Sequence, residues 1–265
     1  MTTRRPRPTF TNDRLSDRDW AVLLDLYRLR VMAADQIERV HFAGLTGRSR
    51  EVVRGRVLRR LVNWRLITSL GRRIGGTRRG SGSTAYALDS TGLRLLGERL
   101  GTTNPTVRIR RPRPPGGRFL EHGLAVSALY ADLMAATRDS EINLGTFAGE
   151  PDSWWPDGAG GQLKPDAYAR LARGNVIDHW WIEVDRATES LPTIRRKLTA
   201  YLSFAERGQL GPNGVVPRVL VSTISEQRQQ VIRAVVRQLP TPADELFLVT
   251  LDRDAWLSML SSLKT

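Results

Sequence analysis

Trp20, Leu23, Leu24, Tyr27 and Val31 recur at the three- and four-residue spacing of a helix that buries one face. Ser16, with Asp19 three residues on, supplies an N-cap and an acidic first turn ahead of them. A shorter helix is predicted over 34–41, with Ile37 and Val40 inward, followed by a turn at 44–47. A third runs over about 49–64 and buries Val53, Val57, Leu58 and Leu61. Residues 66–70 and 84–88 read as strands, and the glycine- and arginine-rich stretch 71–82 between them makes the pair a hairpin. Residues 91–100 close this unit as a fourth helix.

The pattern changes after residue 118. A helix is predicted over 119–136, with Leu120, Leu124 and Leu133 inward. Strands follow at 142–147, 166–172 and 176–185, then a long helix over 192–207. A buried strand at 216–222, a helix at 227–239, a strand at 246–251 and a last helix at 254–263 complete the order αβββαβαβα. The expected fold class is α/β (α+β overall), with no internal repeat. Between the two patterns, 101–117 reads GTTNPTVRIRRPRPPGG, in which Pro and Gly deny regular structure. The expected organisation is a basic tail (1–13), a first domain (14–101), a linker (102–118) and a second domain (119–265).

Charge sharpens this division. The chain carries a net +14 and a pI near 11.2, which points to a polyanionic partner. Residues 1–118 hold 26 Arg and no Lys against 9 acidic residues, whereas the rest holds 15 basic against 18 acidic. A bias toward arginine explains Arg over Lys, but not the asymmetry between halves. Other classes fall away. With no cysteine, disulfides, thiolate zinc sites and a Cys nucleophile are excluded. No apolar run approaches the ~20 residues of a membrane span, residues 1–10 lack the apolar stretch of a secretory signal, and a cytoplasmic setting is expected. No Gly-rich loop ends in the Gly-Lys-Ser/Thr pattern of a nucleotide-hydrolysing site.

Three helices and a basic hairpin are the order of a winged helix-turn-helix. Arg48, Arg50, Arg54, Arg56, Arg59 and Arg60 on the third helix, and Arg72, Arg73, Arg78 and Arg79 in the hairpin, are the expected DNA contacts. Arg offers a planar fork that matches phosphate oxygens or the guanine edge. Such a helix fits the major groove of double-stranded DNA. Two blander readings stand beside this: a protein-binding winged helix, and a solvated face of a core helix.

In the second half, Asp166 starts one strand, and Glu183 and Asp185 end the next. Residues i and i+2 of a strand share a face, so Glu183 and Asp185 point the same way and Asp166 can converge on them. Clustered carboxylates hold Mg²⁺ through oxygen ligands. The alternative is a set of strand-end charges paired with Arg186 and Arg195. Trp154, Trp155, Trp180 and Trp181 read as core or interface residues, and His41, His122 and His179 lack metal-ligand spacing.

Pro165-Asp166 followed by Glu183-Val184-Asp185, between two helices, resembles the PD-(D/E)xK nuclease-like fold, whose core order is αβββαβ. The resemblance implies that Asp166 and Glu183 bind metal and that a lysine two residues after Glu183 assists catalysis. Here that position is Asp185. Lys197, on the following helix, is then the catalytic candidate, with Lys164 second, and Glu121 matches a position that supplies a further metal ligand in some relatives. Over nearly its whole length the chain also resembles the replication-relaxation family of actinobacterial plasmid, phage and mobile-element proteins. The residues that carry this are Glu121-His122-Gly123-Leu124, Lys164-Pro165-Asp166-Ala167, Ile182 to Ser190 and Lys197 to Tyr201. It implies a role in DNA maintenance, replication or transfer, with double-stranded DNA, a second copy of the chain, and replication or transfer proteins as partners.

A carboxylate at position 185 opposes charge stabilisation at a scissile phosphate. The sequence therefore ranks a non-catalytic DNA-binding protein first, its second domain serving dimerisation or partner contact. A Mg²⁺-dependent endonuclease or nickase comes second, using Asp166, Glu183, Asp185 and Lys197. A ligand-binding regulator comes third.

Overall fold

The computed structural model describes residues 14–72, 83–101 and 117–263, without the side chains of Arg72 and Arg118. Helix α1 (Asp17–Leu29) starts in the expected capping box, Ser16 and Asp19 each accepting from the other's backbone N–H. Its buried stripe is Trp20, Leu23, Leu26 and Leu29, and Tyr27, expected inward, is 46% exposed. A two-residue strand β1 (Met32–Ala33), too short to leave a pattern, precedes α2 (Ala34–His41). Helix α3 (Gly47–Asn63) begins two residues earlier than expected and buries Val57, Leu58 and Leu61. Strands β2 (Ile67–Arg72) and β3 (Thr84–Leu88) pair antiparallel, β1 adds on the far side of β3, and the sheet order is β1-β3-β2. Helix α4 (Ser90–Arg99), capped by Asp89, packs on α1.

The remainder is α5 (Gly117–Thr137), β4 (Ile142–Gly149), a small ribbon of β5 (Trp155–Pro156) and β6 (Gln162–Leu163), β7 (Ala167–Arg173), β8 (Val176–Asp185), α6 (Leu191–Glu206), β9 (Arg218–Thr223), α7 (Glu226–Arg237), α8 (Ala243–Leu246), β10 (Phe247–Leu251) and α9 (Ala255–Ser261). The ribbon and α8 add to the expected order. The five-stranded sheet runs β10-β9-β8-β7-β4, antiparallel from β4 to β8 and parallel from β8 to β10. The fold is α/β with open, mixed sheets.

Period-two alternation divides this sheet's side chains between two layers. Trp180 and Ile182 join α5 and α9 on one face, whereas Trp181 joins α6 and α7 on the other, and both tryptophans are fully buried. Continuing the alternation places Glu183 and Asp185 on the α6 face.

One core cluster runs from Leu15 in α1's approach to Leu263, so residues on both sides of 102–118 share it. Polar contacts fix the seam. Gln36 Nε2 donates to the Leu124 carbonyl at 2.8 Å and Ser127 Oγ to the Val31 carbonyl at 2.5 Å. Tyr130 OH donates to both oxygens of buried Asp25 at 3.0 Å, and His41 Nε2 lies 2.9 Å from the same carboxylate. Gly149 of β4 meets the C-terminus of α1 so closely that a Cβ there would lie 2.7 Å from the Arg28 carbonyl oxygen. Among the described residues no helix is long and apolar enough to cross a membrane.

Candidate functional site

The register Ala167↔Ile182 brings Asp166, one residue before β7, beside Glu183 of β8. Asp166 Oδ2 accepts the Val184 N–H at 2.7 Å, which anchors its carboxylate to the neighbouring strand. Its Oδ1 lies 3.0 Å from His122 Nε2, in the first turns of α5. Ser190 caps α6, and Pro192 sits in its first turn with the ring-fixed φ that suits a helix start. From that helix Lys197 and Tyr201, four residues apart and so on one face, both reach Glu183. Tyr201 OH donates to Oε1 at 2.5 Å and Lys197 Nζ to Oε2 at 3.2 Å. Lys197 Nζ also lies 3.0 Å from Glu189 Oε1.

His122, Asp166, Glu183, Glu189 and Lys197 line a cleft of about 330 Å³, together with Glu150, Lys164, Asp185 and Thr188, and Tyr201 holds Glu183 from behind its wall. Burial, followed by the charge of Asp166, pushes the Glu183 carboxyl up to about 7 against the opposing pull of Lys197 and Tyr201. Burial alone would lower the Lys197 ammonium, but Glu183, Glu189 and Asp166 outweigh it and hold its pKa above the ordinary lysine range. The hydrogen bond to Asp166 raises the His122 imidazole, burial opposing.

Asp185 shares the cleft wall but is committed elsewhere. Arg228, in the first turn of α7, grips it in a fork, Nε to Oδ2 at 2.7 Å and one terminal nitrogen to Oδ1 at 3.0 Å, and also donates to the Glu189 carbonyl at 2.7 Å. The expected partners Arg186 and Arg195 bind Asp252 and Gln238 instead. The reason is topological: the parallel pairing of β8 with β9 delivers the start of α7 to the end of β8. Glu121 is exposed and does not line the cleft, because one residue along a helix is a rotation of about 100° from His122.

Among the described residues, no group of three or more His, Asp or Glu side chains is placed to hold a metal ion. The three-ligand set of Asp166, Glu183 and Glu121 is therefore not assembled. Asp166 and Glu183 remain as a pair of hard oxygen donors. Each carboxylate has about four lone-pair sites, of which two are taken by the bonds above. Mg²⁺ is commonly held by one or two carboxylates, with substrate phosphate and water completing its shell. The pair fits that cation at this minimal level.

The arginines of α3 separate into two sets. Arg50 turns back to the Leu45 and Ala43 carbonyls at 2.5 and 3.2 Å, Arg54 pairs with Glu38, and Arg60 grips Asp19 at 2.6 and 2.7 Å while lying over Trp64. Arg48, Arg56 and Arg59 are exposed and, with exposed Val52, fall on one stripe at i, i+4, i+8 and i+11. Arg73, Arg78, Arg79 and the Arg72 side chain lie outside the described residues.

The sequence did not single out His122, Tyr201, Glu189 or Arg228 for the cleft. Tyr201 had a legible signal, the i, i+4 spacing from Lys197. Arg228 had none, being 43 residues from Asp185.

Fold and cleft together define an α/β protein with a mixed five-stranded sheet and a carboxylate–lysine–histidine cleft at the C-terminal end of its central strand. The replication-relaxation family model matches residues 23–219, and the chain belongs to that family. Membership gives it a role in plasmid or mobile-element replication or transfer. No curated protein and no solved structure matches the chain.

Proposed function

We propose that the protein binds double-stranded DNA and that its cleft cleaves a phosphodiester, in the manner of a PD-(D/E)xK endonuclease or nickase. The observation that carries the second part is Lys197 Nζ at 3.2 Å from Glu183, in the cleft that holds Asp166. Asp185 stands where the sequence pattern wants a lysine, and Lys197 supplies that cation from α6. This reverses the ranking drawn from sequence alone.

The DNA-binding part is supported by the element order α1-β1-α2-α3-β2-β3 with sheet order β1-β3-β2, which a winged helix requires. The exposed stripe of Arg48, Arg56 and Arg59 suits a major-groove helix. With the β5–β6 ribbon set aside, the succession α5-β4-β7-β8-α6-β9 follows the αβββαβ order of the nuclease-like core.

A divalent cation held by Asp166 and Glu183 would activate water and neutralise charge at phosphorus. Tyr201 fixes the Glu183 carboxylate through Oε1. Lys197 places a positive charge beside the phosphate position, where negative charge grows during displacement. His122 holds Asp166 on the side opposite the sheet backbone.

A second reading has an observation of its own. The Arg228 clamp on Asp185 and the two-carboxylate donor set suit an inert nuclease-like domain that serves dimerisation or partner contact. A supercoiled-plasmid assay with Mg²⁺ or Mn²⁺ separates the two. Nicking by the wild type that is lost in Asp166→Ala and Glu183→Ala supports the cleavage reading. Retarded DNA mobility without cleavage in all three supports the inert one.

A further inference from the structure

The link from α1 to β1 turns in an uncommon way. Arg30 has φ 65° and ψ −37°, and the Val31 N–H donates to the Leu29 carbonyl at 2.8 Å across it. This is a γ-turn of the positive-φ kind, which is rare and strained. Helix C-termini that need positive φ ordinarily use glycine or asparagine, because a side chain's Cβ clashes there. An arginine therefore occupies a position whose backbone favours glycine. Non-glycine residues held in such regions are strained and gather at functional sites.

The side chain's surroundings say what that function is. Arg30 Nε donates to the Glu150 carbonyl at 3.0 Å, and its terminal nitrogens have no hydrogen bond among the described residues. Glu150 lines the cleft. A small adjoining groove is bounded by Arg28, Arg30, Phe119, His122, Glu150 and Asp166, so three residues of the cleft also face these two arginines. The Arg28 side chain is 45% exposed, its nearest carboxylate being Asp25 at 3.8 Å. The guanidinium fork matches two phosphate oxygens.

We propose that Arg30, assisted by Arg28, is an anion subsite for a DNA backbone phosphate at the mouth of the cleft. It is contributed by α1 and its turn to a site otherwise built from the C-terminal half. The subsite rests on the reading that DNA enters the cleft. It gives the strand a fixed foothold beside Asp166 and His122, because the seam joins α1 to α5 and β4. It also adds positive charge beside a cleft whose lining carries five carboxylates, Glu150, Asp166, Glu183, Asp185 and Glu189.

Arg30→Gly is the discriminating variant, because it removes the guanidinium while relieving the turn. Thermal unfolding and binding to a short DNA duplex over a series of salt concentrations are measured for the wild type, Arg30→Gly and Arg28→Gln. The proposal expects Arg30→Gly to melt at or above the wild-type temperature. Its affinity should fall on the order of tenfold, and the slope of log K against log salt should shrink by about 0.9 for the lost phosphate contact. Arg28→Gln should act in the same direction with a smaller change. Wild-type DNA binding with an unchanged slope in both variants overturns the subsite and leaves DNA binding by α3 standing. A lowered melting temperature with unchanged affinity overturns it in favour of a structural tie to Glu150. No DNA binding by the wild type sinks the underlying functional reading as well.

Discussion

Lys197 Nζ donates to Glu183 Oε2 at 3.2 Å across 14 residues of chain, and Tyr201 of the same helix face holds the other oxygen at 2.5 Å. One carboxylate is thus gripped from a single helix by a cation and a hydroxyl. The position two residues beyond Glu183, where a strand-borne lysine is expected, is given to an acid neutralised by Arg228.

That exchange predicts an asymmetry in mutants. Lys197→Met should abolish plasmid cleavage while DNA affinity stays within about threefold. Lys197→Arg should retain part of the activity, because the charge persists in a different shape. Cleavage by Lys197→Met at the wild-type rate would remove the lysine from the proposed chemistry.

Glu183 links stability to pH. Its carboxyl is raised in the folded chain to about 7 from an ordinary 4.5, chiefly by burial and then by Asp166. A raised carboxyl favours folding below its unfolded pKa, and that contribution is lost as pH climbs through the folded one. Between pH 4.5 and 7.5 the wild type should lose roughly 1–3 kcal/mol relative to Glu183→Gln, read by urea unfolding at each pH. Parallel profiles would mean that Glu183 is ionised throughout.

The two sets of arginines on α3 should behave differently. Arg56→Ala with Arg59→Ala should leave the melting temperature near wild type. The salt slope of DNA binding should fall by about 0.9 for each phosphate contact removed. Arg54→Ala leaves Glu38 without its partner and should cost about 1 kcal/mol of stability, with a smaller effect on the slope. The opposite assignment would show another face of the helix to be the DNA-facing one.

Arg228→Ala should be among the costlier single changes. It strands Asp185, whose side chain is 6% exposed, beside Asp166 and Glu183. Removing one partner of a buried ion pair costs roughly 3 kcal/mol. Adding Asp185→Asn should recover much of that loss in chemical denaturation. Failure of the second change to rescue would locate the damage in the bond from Arg228 to the Glu189 carbonyl.

Much of the fold was legible, for a local reason. Helices and strands follow the period of apolar residues, and caps such as Ser16–Asp19 act within four residues. The features that pattern missed are the shortest, β1, β5, β6 and α8, each with two to four residues and no period to read. Tyr27 kept the right spacing yet faces outward, because the buried stripe of α1 is set by where α4, α5 and β3 lie against it.

The sequence by itself determined the basic first half, the α/β succession and the convergence of Asp166 with Glu183, because adjacent antiparallel strands carry their register in the chain. Tertiary structure decided that Lys197 comes within 3.2 Å of Glu183 and that Arg228 neutralises Asp185. It also decided that Arg54 and Arg60 turn to acidic partners while Arg48, Arg56 and Arg59 stay exposed, and that Arg30 reaches the Glu150 carbonyl beside the cleft. Each of these joins elements whose relative placement comes from packing a shared core. A charged side chain's composition and spacing say only that it needs a partner or water, not which one the packing brings within reach.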